Sequence, residues 1–202
     1  MSTKNLEGTA RERLLAAAAE LFYAEGIHTV GIDRVIERAG VAKASLYSAF
    51  GSKDELVRAY LEQRDAARRA RITERLARHA KPRDRILAIF DVQRELAEKP
   101  GFRGCAFVNA SVETASGESK AGAVCMASRA WMRGLFIDLA RELGAAKPEL
   151  LGRKLAMLYD GATVAASIEH DLQALVEARA MAEQLLDTAT KPARAPSKRK
   201  GG

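Results

Sequence analysis

The sequence predicts an all-α protein, and three observations carry that reading. Alanine, leucine, arginine and glutamate dominate the composition, and these side chains lose little on entering a helix. Aromatic residues make up 5% of the chain, and only five of its 202 residues are prolines. No stretch alternates apolar and polar residues long enough to read as a strand.

The first helix is expected from about residue 9 to about residue 25. Thr9 with Glu12 three positions on is a capping-box pattern, in which each side chain satisfies the other's free amide. Leu14, Ala18, Leu21 and Phe22 form the inward stripe, and Gly26 stops the helix. Residues 31–53, GIDRVIERAGVAKASLYSAFGSK, then read as two short helices about a glycine-led turn. Ile32, Val35, Ile36 and Ala39 recur at three- and four-residue steps on one buried stripe. Gly40 can take the left-handed conformation that closes a helix, with Val41 as an apolar plug behind it. In the second helix Val41, Leu46 and Phe50 face inward and leave Lys43, Ala44, Ser45, Ser48 and Ala49 on a slim outer face. This is the pattern of a helix-turn-helix, whose second helix enters the DNA major groove. The first helix packs across its back, because two short helices cannot bury enough surface alone.

Ser52 with Glu55 can cap a long helix, expected to about residue 79. Arg64, Arg68, Arg71, Arg75 and Arg78 draw one basic stripe along it, which reads most simply as a solvated face, with an anion pocket or a partner surface as the alternative. Pro82 suits the first turn of a fifth helix that buries Ile86, Ile89, Phe90 and Leu96. Lys99, Pro100 and Gly101 break it, Gly104 precedes a short segment holding Phe107, Val108 and Val112, and residues 116–118 are another break. The helix after it, about residues 120–143, is expected to turn Val124, Trp131, Leu135 and Leu139 inward and to end at Gly144. Pro148 opens a helix with Leu151, Leu155, Leu158 and Tyr159, followed by small residues at 161–166 that let helices approach closely. The last helix, about residues 171–187, carries Leu172, Leu175, Ala182 and Leu185 on one side. The expected division is therefore an N-terminal helix-turn-helix DNA-binding domain over 1–54 (motif 31–50), a larger C-terminal helical domain for ligand binding and dimerisation over 55–190, and a tail over 191–202.

The net charge of +7 is unevenly placed. Residues 1–54 hold seven basic and seven acidic side chains, whereas the tail, KPARAPSKRKGG, holds five basic ones and no acid. The motif is neutral overall, so it, rather than net charge, carries the case for DNA. The tail has no apolar anchor and is expected to be disordered, either solubilising the chain or touching phosphate non-specifically. Cys105 and Cys125 are too few for a disulfide scaffold. No apolar run reaches the roughly 18 to 20 residues that a membrane helix needs, and no apolar leader opens the sequence. Together these features predict a soluble, cytoplasmic protein without membrane association. His28, His79 and His170 lack ligand-like spacing, and there is no phosphate loop or GxSxG elbow, so no metal, cofactor or catalytic residue is expected.

At residues 39–53, AGVAKASLYSAFGSK, the chain resembles the TetR family of transcriptional regulators. The match is in register at that family's alanine, glycine, valine, leucine, tyrosine, aromatic and lysine positions. It extends over roughly residues 9–60; beyond them only the length and the all-helical pattern agree. Gly31 stands where the family usually has a capping threonine that touches phosphate, and Ala49 where it often has histidine, so both of those contacts are missing. The resemblance implies a phosphate contact for Tyr47, and a homodimer whose last two helices pair with their copies as a four-helix bundle.

The residues themselves suggest particular roles. Lys43, Ala44 and Ser45 lie in the first turn of the second motif helix, where lysine can donate to guanine, the alanine methyl can meet a thymine methyl, and serine can serve either kind of base. Tyr47 is pushed to the rim because Leu46 and Phe50 fill the inward positions, and Ser48 shares that outer face. Lys53 sits near a helix start, where a cation opposes the dipole, and a phosphate contact would explain it. Phe107, Asn109, Trp131, Tyr159, Asp160 and Thr163 are candidate linings of a ligand pocket between the C-terminal helices. Cys105, beside Arg103, is a candidate redox-sensitive thiol, with a buried inert thiol as the plainer alternative. The expected function is a ligand-responsive, homodimeric repressor that reads a palindromic operator in double-stranded DNA and leaves it when an unknown small-molecule effector binds. The alternative is a helical ligand-binding or scaffold protein that keeps the motif only as packing.

Overall fold

The computed structural model describes residues 8–114 and 119–189. The expected break at 116–118 and the expected disorder of the tail lie outside the described residues. Among those described there are nine helices and no strand: α1 (Ala10–Glu25), α2 (Ile32–Ala39), α3 (Lys43–Phe50), α4 (Lys53–Leu76), α5 (Pro82–Ala97), α6 (Ala106–Glu113), α7 (Lys120–Glu142), α8 (Pro148–Glu169) and α9 (Gln173–Ala189).

The punctuation of the sequence sets these boundaries. The Thr9 hydroxyl accepts from the Glu12 amide at 3.2 Å and the Thr9 amide donates to the Glu12 carboxylate at 2.8 Å, closing the capping box. Gly40 takes the left-handed conformation at φ 62°, ψ 43°, and the Val41 amide reaches back to the Ile36 carbonyl at 3.3 Å. A side chain at Gly40 would be strained there, which is why the turn of the motif can be this short. Ser52 caps α4, and prolines occupy the first turns of α5 and α8.

Two buried clusters result. The first joins α1, α2 and α3 to the opening turns of α4, through Leu56, Val57, Tyr60 and Leu61, and to α6 through Phe107 and Ala110. The second joins the far end of α4, through Ile72 and Leu76, to α5, α7, α8 and α9. Phe90, Phe136 and Tyr159 form an aromatic triangle at its centre, with ring centroids 5.8 to 6.1 Å apart. α4 has 24 residues, about 36 Å at the helical rise of roughly 1.5 Å per residue, and belongs to both clusters.

Four details differ from the sequence-based expectation. The buried stripe of α7 is Cys125, Ser128, Met132, Phe136 and Leu139, whereas Val124, Trp131 and Leu135 are only half-buried. The polar Ser128 at the middle of that stripe conceals the phase from apolar spacing. Its hydroxyl bonds Asp65 and accepts from Arg68 at 2.6 Å, so it is buried without losing its partners. Ala49 packs against the first cluster instead of standing outward, since helical geometry places it beside Leu46 and Phe50 on the inner side. The basic stripe of α4 is not a plain solvated face. Arg64, Arg68 and Arg75 are half-buried, because aromatic rings and neighbouring helices cover their stems. Finally, Gly161, which opens the small run, faces open space, whereas Ala162, Thr163 and Ala166 of that run are buried; of the two glycines of α8, Gly152 makes the close approach, where a Cβ would lie 2.7 Å from the Ile137 backbone.

Candidate nucleic-acid interface and ligand cavity

α3 is short enough that its two faces are sharply divided. Leu46 and Phe50 are buried, Ser45 and Ala49 are half-buried, and Lys43, Ala44, Tyr47 and Ser48 are exposed. The exposed four form one flank with no bulky aliphatic side chain, and Tyr47 is the only large residue on it. Lys43 donates to Asp33 at 2.8 Å, and that hydrogen bond raises the lysine pKa, so its charge is kept. Both partners are highly exposed, and screening by water and salt leaves such a pair easily exchanged for a phosphate or a base edge.

The motif is braced from behind. Arg34 pairs with Glu25 and Arg38 with Glu20, tying α2 to α1. Arg13 donates to the Gly40 carbonyl at 3.4 Å, and Arg11 lies 5.0 Å over the Phe50 ring. Lys53 is turned partly inward: its ammonium donates to the Ile27 carbonyl at 2.7 Å and lies 6.0 Å from the Phe22 ring. That internal bond accounts for a cation at a helix start without invoking DNA. An ammonium carries three donors, so two remain for an outside acceptor.

The C-terminal candidates do not all meet in one place. A cavity of about 480 Å³ lies between α4, α5, α6 and α8 and collects Phe107, Tyr159 and Thr163 together with Tyr23, Gln93 and Phe102. A smaller one of about 210 Å³ collects Phe107 and Asp160 with Cys125 and Arg129. Cys105 borders both, at the N-cap of α6. Asn109 lies outside both and donates to the Arg103 carbonyl at 2.9 Å, while Trp131 also lines neither and stacks instead on the guanidinium of Arg69 at 4.8 Å.

Burial and hydrogen bonding set the electrostatics. The Tyr159 hydroxyl donates to Gln93 Oε1 at 2.6 Å, and burial raises its pKa far from neutrality, so it remains a donor. Burial also raises the Asp160 pKa, against the opposing charge of Arg129 at 2.9 Å. The Cys125 thiol is pushed up to about 11 by burial and, secondarily, by the charge of Cys105, so it is a poor nucleophile at neutral pH.

Short bonds join the cavity wall to α1 and to the loop that leads into the motif. The Tyr23 hydroxyl, on α1, accepts from the Arg103 amide at 2.9 Å and donates to the Gly104 carbonyl at 3.0 Å. At the other end of α6, Glu113 accepts from the His28 amide at 2.8 Å. α1 and the loop after it are thus fastened to both ends of α6. Sequence reasoning did not single out Tyr23 or Gln93, because neither belongs to a local motif; for the arginine stripe an anion pocket stood only as the alternative to a solvated face, and the spacing did not show that Arg64 and Arg71 border this cavity.

Comparison with known proteins agrees with this geometry. Residues 14–60 match the family described as bacterial regulatory proteins, tetR family. The crystal structure of SCO4454, a TetR-family transcriptional regulator from Streptomyces coelicolor, superposes with a TM-score of 0.86 at 35% identity, over 90% of this chain and 96% of that one. The HTH-type transcriptional repressor NemR of Escherichia coli K12 is 28% identical over 92% of this chain and 98% of its own length. The HTH-type transcriptional activator FasR of Mycolicibacterium smegmatis is 47% identical, but over only 26% of this chain and 24% of its own. The likeness to an activator is confined to a short stretch, whereas that to SCO4454 and to NemR runs nearly end to end. The chain belongs to the TetR family of transcriptional regulators.

Proposed function

We propose that the protein is a homodimeric repressor, released from a palindromic operator when a small-molecule effector enters the cavity between α4, α5, α6 and α8. The observation that carries the DNA half of this reading is the exposed flank of α3, where Lys43, Ala44, Tyr47 and Ser48 stand clear on a helix braced from behind. Lys43, Ala44 and Ser45 read base edges, while Tyr47, Ser48 and Lys53 hold phosphate and set the register. Repression, rather than activation, is favoured by the near full-length similarity to a protein named as a repressor.

Dimerisation through α8 and α9 is supported by their outer faces. Met157, Ile168 and Met181 are 69%, 72% and 51% exposed, and the open space beside Gly161 would admit another helix. Apolar surface of this kind marks an association site, and a two-fold pair of α3 helices would read half-sites one DNA turn or a multiple apart. Residues 1–54 form the DNA-binding unit in this reading, and 55–190 bind the effector and the second subunit. The fastenings through Tyr23 and Glu113 supply the coupling: an effector that favours a different seating of α6 shifts α1, and with it the spacing of the two α3 helices.

A gel-shift titration against the DNA flanking the protein's own gene tests the reading. Binding should weaken steeply with added salt, as phosphate contacts require. Salt-insensitive binding, or none, would refute it.

A further inference from the structure

We propose that the effector is an organic anion, a carboxylate carrying an apolar alkyl or aryl body, held in the cavity of about 480 Å³ by Arg64 and Arg71. This rests on the effector reading above and adds the chemical class.

The charge census of α4 points to it. Arg58, Arg68, Arg69 and Arg75 of α4, and Arg78 just beyond its end, each pair with a carboxylate. Among the described residues Arg64 and Arg71 pair with none, and both line the cavity. The charged groups of the lining are Arg64, Arg68, Arg71 and Lys99, with no aspartate or glutamate among them. Arg68 is offset by Asp65, but the charges of Arg64 and Arg71, with no carboxylate in the lining to offset them, raise the affinity of the space for an anion.

Geometry narrows the anion. Positions 64 and 71 are two turns apart on one face of α4, about 10 Å along the axis at the helical rise. The Arg64 guanidinium lies 4.0 Å from the Tyr23 ring centroid. The same group lies 5.5 Å from the Tyr60 ring and lends one donor toward the Tyr60 hydroxyl; a guanidinium carries five N–H donors, so others remain to receive a carboxylate. Deeper in, Gln93 is buried and accepts from Tyr159 through Oε1, while no described group accepts from its Nε2. The cavity thus offers donors on two sides. Leu96, Phe102 and Phe107 complete the lining, and an inorganic ion would leave their surface wet, so the occupant must bring an apolar body.

The test is calorimetric titration of the full-length protein with octanoate and phenylbutyrate, each compared with its neutral primary amide and with inorganic phosphate. The carboxylates should bind at least about tenfold more tightly than their amides, the usual scale for a charge-assisted pair. Arg71→Gln, a change at an exposed position that the fold does not need, should remove most of that preference, weakening the carboxylates far more than the amides; Arg64→Gln should do the same, with Arg64→Lys retaining part of it. Equal binding of acid and amide, phosphate binding as tight as octanoate, or an unaltered preference in Arg71→Gln would overturn the proposal. Gel shifts on the same samples separate it from the reading beneath it. Release of the operator by octanoate supports both. Release by a neutral molecule but by no carboxylate overturns the anion class alone, and carboxylate binding that leaves the operator complex intact overturns the effector role alone.

Discussion

On α2 and α3 the exposed cations are neutralised by carboxylates of the same surface, Arg34 by Glu25, Arg38 by Glu20 and Lys43 by Asp33. Along α4, the half-buried Arg64 and the exposed Arg71 meet no described carboxylate and border a cavity. The flank proposed to approach DNA is therefore close to neutral, whereas two cations of α4 stand at the cavity without a described carboxylate. Exposed pairs are screened and exchange readily, so the motif can give up Asp33 for a base edge at small cost and is not drawn to every polyanion beforehand. Inside the cavity there is no carboxylate to exchange, and the field persists until a ligand cancels it. In the proposed reading, shape selects at one site and charge at the other.

If the two sites are physically distinct, substitutions should separate them. The largest effect is expected at the core of the motif. Leu46 is fully buried, and Leu46→Ala should cost about 2–5 kcal/mol, seen as a lower thermal midpoint together with loss of operator binding. An unchanged midpoint would mean that α3 contributes little to the fold. The matching change in the second cluster is Gly152→Ala, whose methyl would press on the Ile137 backbone; it should cost about 1–3 kcal/mol through overpacking. Gly161→Ala serves as its control. The position has open space in the single chain, so a helix-favouring alanine should be neutral or stabilising by roughly 0.5–1 kcal/mol. Weaker self-association in Gly161→Ala, measured by sedimentation, would place the partner helix there.

At the DNA face the contrast between Lys43 and Lys53 is sharper than their shared charge suggests. Lys43→Ala should weaken binding to the best operator on the order of tenfold while barely changing binding to random DNA, as loss of a base contact does. Lys53→Ala should weaken both about equally and reduce the salt slope by about one phosphate. Because Lys53 also bonds the Ile27 carbonyl at 2.7 Å, its loss should lower stability as well, by about 1 kcal/mol. An alanine at either position that left every affinity unchanged would show that the assigned flank is not the one that meets DNA.

Much of the fold was legible because its signals are local. Thr9 with Glu12, Gly40, Ser52, Pro82 and Pro148 each fix a helix end through chemistry confined to one turn, and each acts where the sequence places it. The outward flank of α3 was legible for the same reason, apart from Ala49 and the half-buried Ser45. What failed depended on distant partners. Ser128 is buried only because Asp65 and Arg68, some sixty positions earlier, receive it, and no periodicity in α7 announces that. Arg64 became a cavity wall because Tyr23 lies under it, a pairing across 41 positions. Of the proposed lining, Phe107, Tyr159 and Thr163 came together, whereas Asn109 went to a loop carbonyl and Trp131 to a surface arginine, since an amphipathic face does not reveal which gap it borders.

The smallest expected effect concerns the thiols, and it bears on how the cavity is occupied. Cys105 borders both cavities and is only half-buried, whereas Cys125 is buried with its pKa raised to about 11. A thiol held protonated reacts slowly with oxidants or electrophiles at neutral pH, which leaves Cys105 as the one cysteine through which covalent chemistry could enter. If the effector is held by Arg64 and Arg71, that sulfur is a bystander. Cys105→Ser should then leave octanoate affinity and octanoate-driven release of the operator within about twofold, a difference of roughly 0.4 kcal/mol on the thermal energy scale. Release of the operator by hydrogen peroxide in the unmodified protein, absent in Cys105→Ser, would instead assign the thiol a second input, and would make α6 the meeting point of charge and redox signals.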